Sequence, residues 1–499
     1  MEIILINPEG KGSYQGDVRE RKSQYMFPYS LVFLQNYLAK KGVHAHLFDL
    51  FDQEEKELLD FCRGLDRPLV GITSQTYNRY DAVAVARDVK NACPSAIVVV
   101  GGKHFSYCAP ECLEDVPHID IVVRGEGEVT VHDLATTLER GGSLAQVPGI
   151  TFRSGGEVVH NPPRRPEMDV EQFALDYSLL PTDKFAKGVY LRNYQNEEIV
   201  SLPLHFGRGC AQKCVFCSFG LTPYRVRKLD KVIADIIQLK ERFDRHYFSF
   251  IDPSFCERTV FVEAFCKRLI EDKVDIKWYC EARADTPLHL LDLMARAGCI
   301  SLDFAVETGS QRILETIRKR IKLDQVQEFA AECKKLGIRT LAFWMLSHPD
   351  EREEDAQQTL KLAEKLAPYT NYVTFNVAQV LPGTELETIA KARGVLPAGF
   401  RWCDGRVLNE HEDLGPKYNP LYLEHLSVDY IRKFRNEFEA LTAERFTTGA
   451  DLWRMVKKGL RNIPQQPLSV TLQDVGRFGS RLYHKAAAAC GIHTRHGGN

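Results

Sequence analysis

The sequence predicts an α/β protein with a doubly wound, Rossmann-like N-terminal domain, a partial (β/α)6 barrel and a helical C-terminal domain. Short apolar runs alternate with helical periodicity over about residues 1–140, which is typical of a parallel sheet covered by helices on both faces. The alternation resumes near residue 198 for six strand–helix units, and after about residue 395 only helical patterns remain. Periodicity alone does not separate a barrel from a second open sheet, but six consecutive units favour the barrel.

The first region contains five apolar or alternating runs that predict strands. Helical periodicity separates them, and the turns SQTYN, GGKHFS and RGEGE fall at carboxyl ends of strands, where doubly wound sheets bind ligands. The predicted strands cover 2–7, 44–50, 68–74, 96–102 and 120–128, and the predicted helices cover 29–42, 80–92 and a segment that ends near residue 140.

A hairpin and a linker follow. In GITFRSGGEVVHNPPRRPEMD (149–169) the two glycines of Ser154-Gly155-Gly156 predict a hairpin turn, and the Pro/Arg-rich segment predicts a linker. The predicted domains are 1–148, a hairpin and linker at 149–197, the barrel at 198–395 and a helical domain at 396–499.

The barrel region contains six predicted strands with helices between them, such as 230–243 and 257–272. In such barrels the chemistry gathers at the carboxyl ends of the strands. The predicted strands cover 199–206, 246–252, 276–283, 301–308, 339–346 and 371–380.

The composition of the 499 residues excludes several classes of protein. Charged residues make up 26% and the net charge is −2, which argues against nucleic-acid binding through a global basic field. No apolar run reaches eighteen residues, so no membrane span is expected. Fourteen cysteines without a signal peptide indicate a reducing, cytoplasmic setting.

Most of these cysteines are expected to pack as small buried side chains. Cys108 and Cys112, in SYCAPEC, are four residues apart and could both face one metal. No third ligand lies nearby in the sequence, so packing is the favoured interpretation.

Three further cysteines lie within eight residues in FGRGCAQKCVFCSFG (206–220): Cys210, Cys214 and Cys217. Thiolates are soft ligands that select zinc or iron–sulfur centres. A structural zinc site would need a fourth ligand, but His205 lies in the predicted strand and no second CxxC pair exists. A four-iron cluster held by three cysteines keeps one iron open to bind another molecule.

The spacing Cys-x3-Cys-x2-Cys after the first barrel strand, with Phe216 before the last cysteine, resembles the radical S-adenosylmethionine (SAM) superfamily. The resemblance implies that these three cysteines bind a 4Fe-4S cluster. Its open iron would chelate SAM, which is then cleaved to a 5′-deoxyadenosyl radical.

Further segments resemble the family's strand-end motifs. The resemblance makes Phe216, Asp252 in FSFIDPSF, Arg283 in CEAR and Glu307 in FAVETGS candidates for SAM binding. Arg283 and Glu307 have an alternative role as a structural salt bridge with each other. VLPGTELE (380–387) matches the sixth-strand motif, whereas SHPDE (347–351) has Ser347 and Asp350 where the family has glycines. The backbone is therefore expected to approach SAM less closely there.

The N-terminal domain resembles that of the cobalamin-binding class of radical SAM enzymes, most specifically over residues 101–128. This resemblance implies a set of cobalamin contacts at the carboxyl edge of the first sheet: Thr76, Tyr77, Gly101, Gly102, Gly125, Glu126 and Gly127. The signature Asp-x-His-x-x-Gly is absent after the first strand, which agrees with members whose cobalt has no histidine ligand. The alternative is a Rossmann-like domain that binds another nucleotide or nothing. The missing GxGxxG argues against NAD.

The resemblance implies a cobalamin-dependent radical SAM methyltransferase, in which methylcobalamin donates a methyl group to an unactivated carbon or phosphorus centre after hydrogen abstraction. The partners would be a small-molecule or natural-product substrate and an electron donor such as flavodoxin or ferredoxin. One alternative is a cyclase or oxidative enzyme of the same class without net methylation. A non-enzyme alternative is a metal-bearing binding protein, for example one that binds RNA through basic segments such as YRVRK (224–228).

Overall fold

The computed structural model describes residues 1–9, 28–179, 191–194, 197–403, 405 and 409–443. Of residues 191–194, 197–200 and 442–443 it describes the backbone alone. Residues 10–17, in which the sequence lacks the cobalamin signature, lie outside the described part, as does the predicted helical segment GADLWRMVKKGL. No helix of the described residues is long and apolar enough to cross a membrane.

The N-terminal region forms a seven-stranded sheet with the order β2-β1-β3-β4-β5-β6-β7. The first five strands are parallel, and β6 and β7 extend the edge as an antiparallel hairpin. The elements are β1 (Ile3–Asn7), α1 (Tyr29–Lys40), β2 (Ala45–Asp49), α2 (Glu55–Arg63), β3 (Leu69–Thr73), α3 (Arg79–Ala92), β4 (Ile97–Gly101), α4 (Lys103–Tyr107), α5 (Ala109–Asp115), β5 (Ile121–Val123), α6 (Gly127–Glu139), β6 (Ile150–Ser154) and β7 (Glu157–His160).

Both faces of this sheet are covered, as the sequence predicts. Ile3 and Leu5 of β1 pack in one buried cluster with residues of α1 and α6. Ile4 and Ile6 point to the opposite face and pack in a second cluster with residues of α2 to α5. The apolar run of a parallel strand therefore serves two cores, one on each face.

The predicted hairpin between β6 and β7 is confirmed. Ser154 pairs with Glu157, and Gly155 and Gly156 both have a positive φ, of 60° and 89°. Two consecutive positive φ angles are the backbone of the tight turn that matches the twist of a hairpin.

The second sheet is the partial barrel. Its six strands are all parallel in the order β10-β13-β14-β15-β16-β17, and the first and last strands are not paired with each other. Its elements and their flanking strands are β8 (Leu191–Tyr194), β9 (Glu197–Val200), β10 (Leu202–Leu204), β11 (Gly207–Arg208), β12 (Arg225–Val226), α7 (Leu229–Phe243), β13 (Tyr247–Phe250), α8 (Thr259–Glu271), β14 (Lys277–Ala282), α9 (Leu288–Arg296), β15 (Cys299–Glu307), α10 (Gln311–Thr316), α11 (Leu323–Lys335), β16 (Arg339–Leu346), α12 (Glu353–Leu366) and β17 (Tyr372–Val377).

The prediction of one strand over 199–206 is wrong. Residues of β9 pair with β8, only β10 joins the barrel sheet, and the chain leaves the sheet after Leu204. The carboxylate of Asp252 accepts hydrogen bonds from the N–H groups of Phe206 and Gly207, at 2.8 and 2.5 Å. A side chain thus takes the backbone donors that would otherwise continue the strand.

After the barrel strands the chain forms α13 (Glu385–Ala392) and α14 (Val428–Ala443). Although the sequence predicts a helical domain from residue 396, the described residues of 396–427 form no α-helix. This stretch contains several prolines and glycines, which interrupt helical hydrogen bonding. Phe434 and Phe438 of α14 pack on Phe375 of β17, with ring centroids 5.5 and 5.6 Å apart.

Candidate active site

The loop that carries the three neighbouring cysteines connects β11 to β12 at the carboxyl edge of the barrel. Gly209 has a φ of 77°, and an added Cβ would lie 2.5 Å from the carbonyl oxygen of Thr222, so this entry turn requires glycine. Val215 anchors the middle of the loop, because its N–H donates to Ile317 O and its carbonyl accepts from Leu386 N, both at 3.0 Å. The loop is therefore attached to two other parts of the barrel rim.

The donor set of this loop fits a four-iron cluster. Cys210 is 9% exposed, and Cys214 and Cys217 are half-buried. In the described part of the chain their three sulfurs do not all lie within 4.8 Å of one another, as donors to one ion would. A cluster offers each thiolate a separate iron, so it spreads its ligands more widely. His205 is directed elsewhere, since its ring packs 4.9 Å from that of Phe33.

The protein environment of the sulfurs combines burial with positive charge. Burial raises the pKa of the Cys210 thiol, and an N–H···S hydrogen bond from Gln212, 3.4 Å long, acts in the opposite direction. Burial also raises the pKa of the Cys214 thiol, against the attraction of the Lys319 ammonium. Amide donors and cations near sulfur stabilise thiolates, the form that binds iron.

Arg283 and Glu307 lie at this edge but do not pair with each other, so the alternative of a mutual salt bridge is wrong. The guanidinium of Arg283 makes two hydrogen bonds to Asp285, of 2.9 and 2.8 Å. The carboxylate of Glu307 pairs with Lys319 at 2.7 Å, with side chains 8% and 10% exposed. Sequence reasoning missed Lys319, which lies in a basic run after α10 where nothing marks one residue as the buried partner.

Three residues at the ends of β15 and β16 have the left-handed backbone that favours glycine. The φ angles are 67° for Glu307, 70° for Ser347 and 63° for Asp350. Ser347 and Asp350 stand where the resembling family has glycine, so this chain keeps the glycine-like conformation with other residues. Each non-glycine residue in this left-handed conformation carries about 1–2 kcal/mol of backbone strain. Contacts hold them in place, including the Ser347 hydroxyl, which donates to Tyr422 O at 2.5 Å.

Two buried ionisable groups lie in SHPDE (347–351), a segment for which the sequence predicted no ligand contact. His348 is 1% exposed and its ring centroid is 5.9 Å from that of Phe216; burial lowers its pKa to about 3. Glu351 is 1% exposed and accepts a hydrogen bond from His348 N at 2.9 Å; burial raises its pKa to about 8. Both side chains are therefore neutral at pH 7, which removes charge from the surroundings of Phe216.

Asp252, a candidate for SAM binding, uses both carboxylate oxygens on the backbone of Phe206 and Gly207. It is 2% exposed, and burial raises its pKa to about 7 although these two hydrogen bonds act in the opposite direction. The geometry makes it a positioning residue that directs the chain into the cysteine loop.

The residues expected to contact cobalamin follow β3, β4 and β5 at one edge of the first sheet. An added Cβ on Gly102 would lie 2.9 Å from Ser74 N, so this glycine permits two loops to meet. Gly125 is exposed, with a φ of 76° and no atom within 4 Å of an added Cβ, which leaves room for a ligand above the backbone. Thr76 is buried, whereas Tyr77 is half-buried.

Glu126 already has protein partners. Its carboxylate pairs with Arg225 at 2.6 Å and with Arg208 at 3.5 Å. Burial raises the pKa of Glu126, but the hydrogen bond and charge of Arg225, with the charge of Arg208, outweigh it and leave the pKa lowered. Glu126 therefore joins the first sheet to the barrel. Gly101 and Gly127, the remaining candidates, flank the same edge.

The two sheet edges meet at the cysteine loop. Lys103, the first residue of α4, lies over the ring of Phe219 in that loop. Burial lowers the pKa of Lys103 to about 8, against the opposing influence of Cys217 and Cys210. Tyr107 of α4 packs on Gly383 of the barrel, where an added Cβ would overlap its ring. The edge expected to bind cobalamin therefore lies beside the cysteine loop.

Comparison with known proteins identifies two family domains in this chain. The Radical SAM superfamily matches residues 204–363, and the B12 binding domain matches residues 18–135. The uncharacterized methyltransferase PH0819 of Pyrococcus horikoshii is 31% identical over 345 residues, which are 68% of this chain and 73% of that protein. The anaerobic magnesium-protoporphyrin IX monomethyl ester cyclase of Rubrivivax gelatinosus is 29% identical over 74% of this chain and 66% of its own length.

A similar fold occurs in a solved structure. The radical S-adenosylmethionine methyltransferase TsrM of Kitasatospora setae, with tryptophan and a SAM analogue bound, superimposes with a TM-score of 0.67. The match covers 88% of each chain at 17% sequence identity. At this identity the likeness concerns the fold.

Proposed function

Because this chain belongs to the cobalamin-binding class of radical SAM enzymes, we propose that it methylates an unreactive carbon or phosphorus centre of a small molecule. Its cofactors are a 4Fe-4S cluster, SAM and cobalamin. When bound, the cluster supplies the electron that cleaves SAM, and cobalamin supplies the methyl group. We assign cobalamin to residues 1–148, and the cluster and SAM to residues 198–395.

One observation carries this proposal: the edge of the first sheet and the cysteine loop lie against each other. Lys103 contacts Phe219, and Arg208 pairs with Glu128 at 2.6 Å. A substrate radical must meet its methyl donor before water or oxygen reaches it, so the two cofactors need a shared, enclosed space.

The chain's own residues are suited to bind and orient SAM, which carries an amino and a carboxylate group. We assign the cluster to Cys210, Cys214 and Cys217. We assign the SAM carboxylate to the neighbourhood of Arg283, and its amino group or ribose to Glu307, oriented by Lys319. The Arg283 Nη2 donates to the backbone carbonyl of Lys319 at 3.1 Å, so Arg283 is linked to the Glu307–Lys319 ion pair.

A cyclase-type reaction without net methylation is the second candidate, because the R. gelatinosus relative is named for one. Product mass separates the two, since methylation adds one CH2 unit. The RNA-binding alternative loses its support, because Arg225 and Arg227 of the basic segment are 4% and 7% exposed and form internal ion pairs.

We further propose a cytoplasmic location and a flavodoxin- or ferredoxin-type electron donor. Free thiols are stable in a reducing compartment, and an open cluster needs a one-electron donor. Radical SAM enzymes act on small molecules, and we expect a substrate of that class here.

The test uses the reconstituted protein under anaerobic conditions with cobalamin, a reductant and SAM whose methyl group is deuterated. With a small-molecule extract as the substrate pool, we expect 5′-deoxyadenosine, S-adenosylhomocysteine and one product that gains the labelled methyl group. Cys210→Ala should abolish all three, whereas Cys93→Ala, at a buried cysteine of the first domain, should retain them. Consumption of SAM that never yields a labelled product would refute methyl transfer.

A further inference from the structure

A second group of side chains that can bind a metal joins α4 and α5 of the first domain to Cys403. A ring nitrogen of His104 and the sulfurs of Cys108 and Cys403 all lie within 4.8 Å of one another. Cys112 follows Cys108 by four residues in α5 and is also buried. We call these four residues the His–Cys cluster. The expectation that Cys108 and Cys112 have no further ligand nearby is therefore wrong, because the fold brings Cys403 to them.

The local sequence explains why three of the four donors converge. His104, Cys108 and Cys112 follow one another at intervals of four residues along α4 and α5, with Cys108 at the junction of the two helices. Side chains four residues apart share a helix face. All three are buried, at 0%, 4% and 0% exposure.

The fourth donor is held in place by its neighbours. The Arg401 guanidinium pairs with Asp115 of α5 at 2.8 Å. The backbone N–H of Trp402 donates to the Glu111 carboxylate, and the Trp402 ring packs edge-on to His104 at 5.6 Å. Cys403 is therefore directed toward α4 and α5 by contacts on the residues just before it.

His104 has an unused ring nitrogen. Its Nδ1 lies 3.4 Å from Thr76 Oγ1, but its buried Nε2 has no hydrogen-bond partner among the described residues. A buried nitrogen without a partner is costly unless it binds something, and neutral imidazole is a metal ligand.

A buried positive charge lies beside the cluster. Arg79 is 0% exposed, and its guanidinium donates to the carbonyl oxygens of Thr76, Trp402 and Tyr418. Among the described residues it forms no ion pair with a carboxylate. Burying a charge without a counterion is unfavourable, and negative charge on Cys403 and Cys108 would relieve it.

We propose that His104, Cys108, Cys112 and Cys403 bind one zinc ion. Three cysteines and one histidine are a common ligand set of structural zinc sites, which are tetrahedral and closed. With bonds of about 2.3 Å, tetrahedral ligand atoms lie about 3.8 Å apart, and the donor atoms of His104, Cys108 and Cys403 all lie within 4.8 Å of one another. Cys112, four residues after Cys108, would supply the fourth ligand. Each thiol releases its proton to solvent, and the resulting site has a net charge of −1, which the Arg79 guanidinium balances.

The ion would fasten the segment before Cys403 to the ligand-binding edge of the first sheet. His104 follows β4 directly and contacts Thr76, which follows β3, so both belong to the edge where cobalamin is expected. The site is structural, since all four positions are filled by protein. It is independent of the proposed methyl transfer, because it requires neither the iron–sulfur cluster nor SAM.

The test measures zinc and iron together in the full-length, anaerobically purified and reconstituted protein. We expect about one zinc and about four irons per chain, and zinc-edge X-ray absorption, which does not detect iron or cobalt, should show three sulfur ligands and one nitrogen ligand. Cys403→Ser should lower the zinc content at least tenfold and keep the iron. Cys210→Ala should do the reverse, and Cys93→Ala should keep both metals.

Several results would overturn the proposal. These are wild-type protein without zinc, zinc bound by another ligand set in the absorption spectrum, a disulfide joining Cys403 to Cys108 or Cys112, or zinc that persists in Cys403→Ser. Because the wild-type spectrum does not depend on any variant, a variant that fails to fold leaves the proposal testable.

Discussion

Replacing Asp252 with asparagine should change how the stability of the chain depends on pH. Burial raises the pKa of Asp252 to about 7, although hydrogen bonds from Phe206 and Gly207 act against it. An unfolded aspartate has a pKa of about 3.9, and each unit of difference is worth about 1.4 kcal/mol, so the full linkage is about 4 kcal/mol. Since the folded pKa is the higher one, this stability is fully present below pH 4 and is lost as the pH rises to 7.

The assay is urea unfolding at pH 5, 6, 7 and 8, followed by tryptophan fluorescence. Trp278 and Trp344 are each 1% exposed in the barrel, so their emission reports its unfolding. Between pH 5 and pH 8 the wild-type chain should lose about 2.5 kcal/mol of stability relative to Asp252→Asn. Asp350→Asn is the control, because the hydrogen bond from Arg393 lowers the pKa of Asp350 and its contribution should not change over this range.

A constant difference between wild type and Asp252→Asn would refute the reasoning. If the stability of the wild-type chain instead rose with pH relative to Asp252→Asn, the two backbone N–H groups would stabilise the carboxylate more than burial destabilises it.

Three further predictions concern the candidate site and use matched variants in urea unfolding. Lys319→Met leaves the buried carboxylate of Glu307 unpaired and should lower the free energy of unfolding by about 3–5 kcal/mol. Lys322→Met, at an exposed lysine, should change it by no more than about 0.5 kcal/mol, and equal losses in the two variants would contradict a buried ion pair. Asp350→Gly should be about 1 kcal/mol more stable than Asp350→Ala, because only glycine adopts a φ of 63° without strain. A more stable alanine variant would count against the left-handed backbone at this position. Gly102→Ala should lower the free energy of unfolding by about 3 kcal/mol and weaken cobalamin binding. Gly125→Ala, where an added Cβ contacts no atom, should lower it by about 1 kcal/mol, and a Gly102→Ala variant of unchanged stability would exclude the close approach to Ser74.

Much of the fold could be predicted because strands of a parallel sheet are short apolar runs with helices between them. The predicted strand 339–346 coincides with β16, Arg339–Leu346, and the predicted helix 230–243 differs from α7 by one residue. The prediction of the first barrel strand was wrong at its end, because that end depends on a hydrogen bond to Asp252, a residue about fifty positions further along the chain. A pattern of side chains in one segment carries no record of a hydrogen bond from another.

The candidate site divides in the same way. Cys210, Cys214 and Cys217 are close in sequence, so their spacing indicated metal ligands, and the resemblance to the radical SAM superfamily implied the cluster. Lys319 was missed, because its partner Glu307 is identified only when β15 and the segment after α10 pack together.

The sequence by itself determined the alternation of strands and helices, the loop of three neighbouring thiols and the resemblance to a family, since all of these are local patterns. The tertiary structure alone decided which charges are paired, which carboxyls are buried and that Cys403 lies beside His104 and Cys108. The physical reason is that pairing and burial act through space. Their energies depend on distance and on the exclusion of water, and neither is a property of a residue's position along the chain.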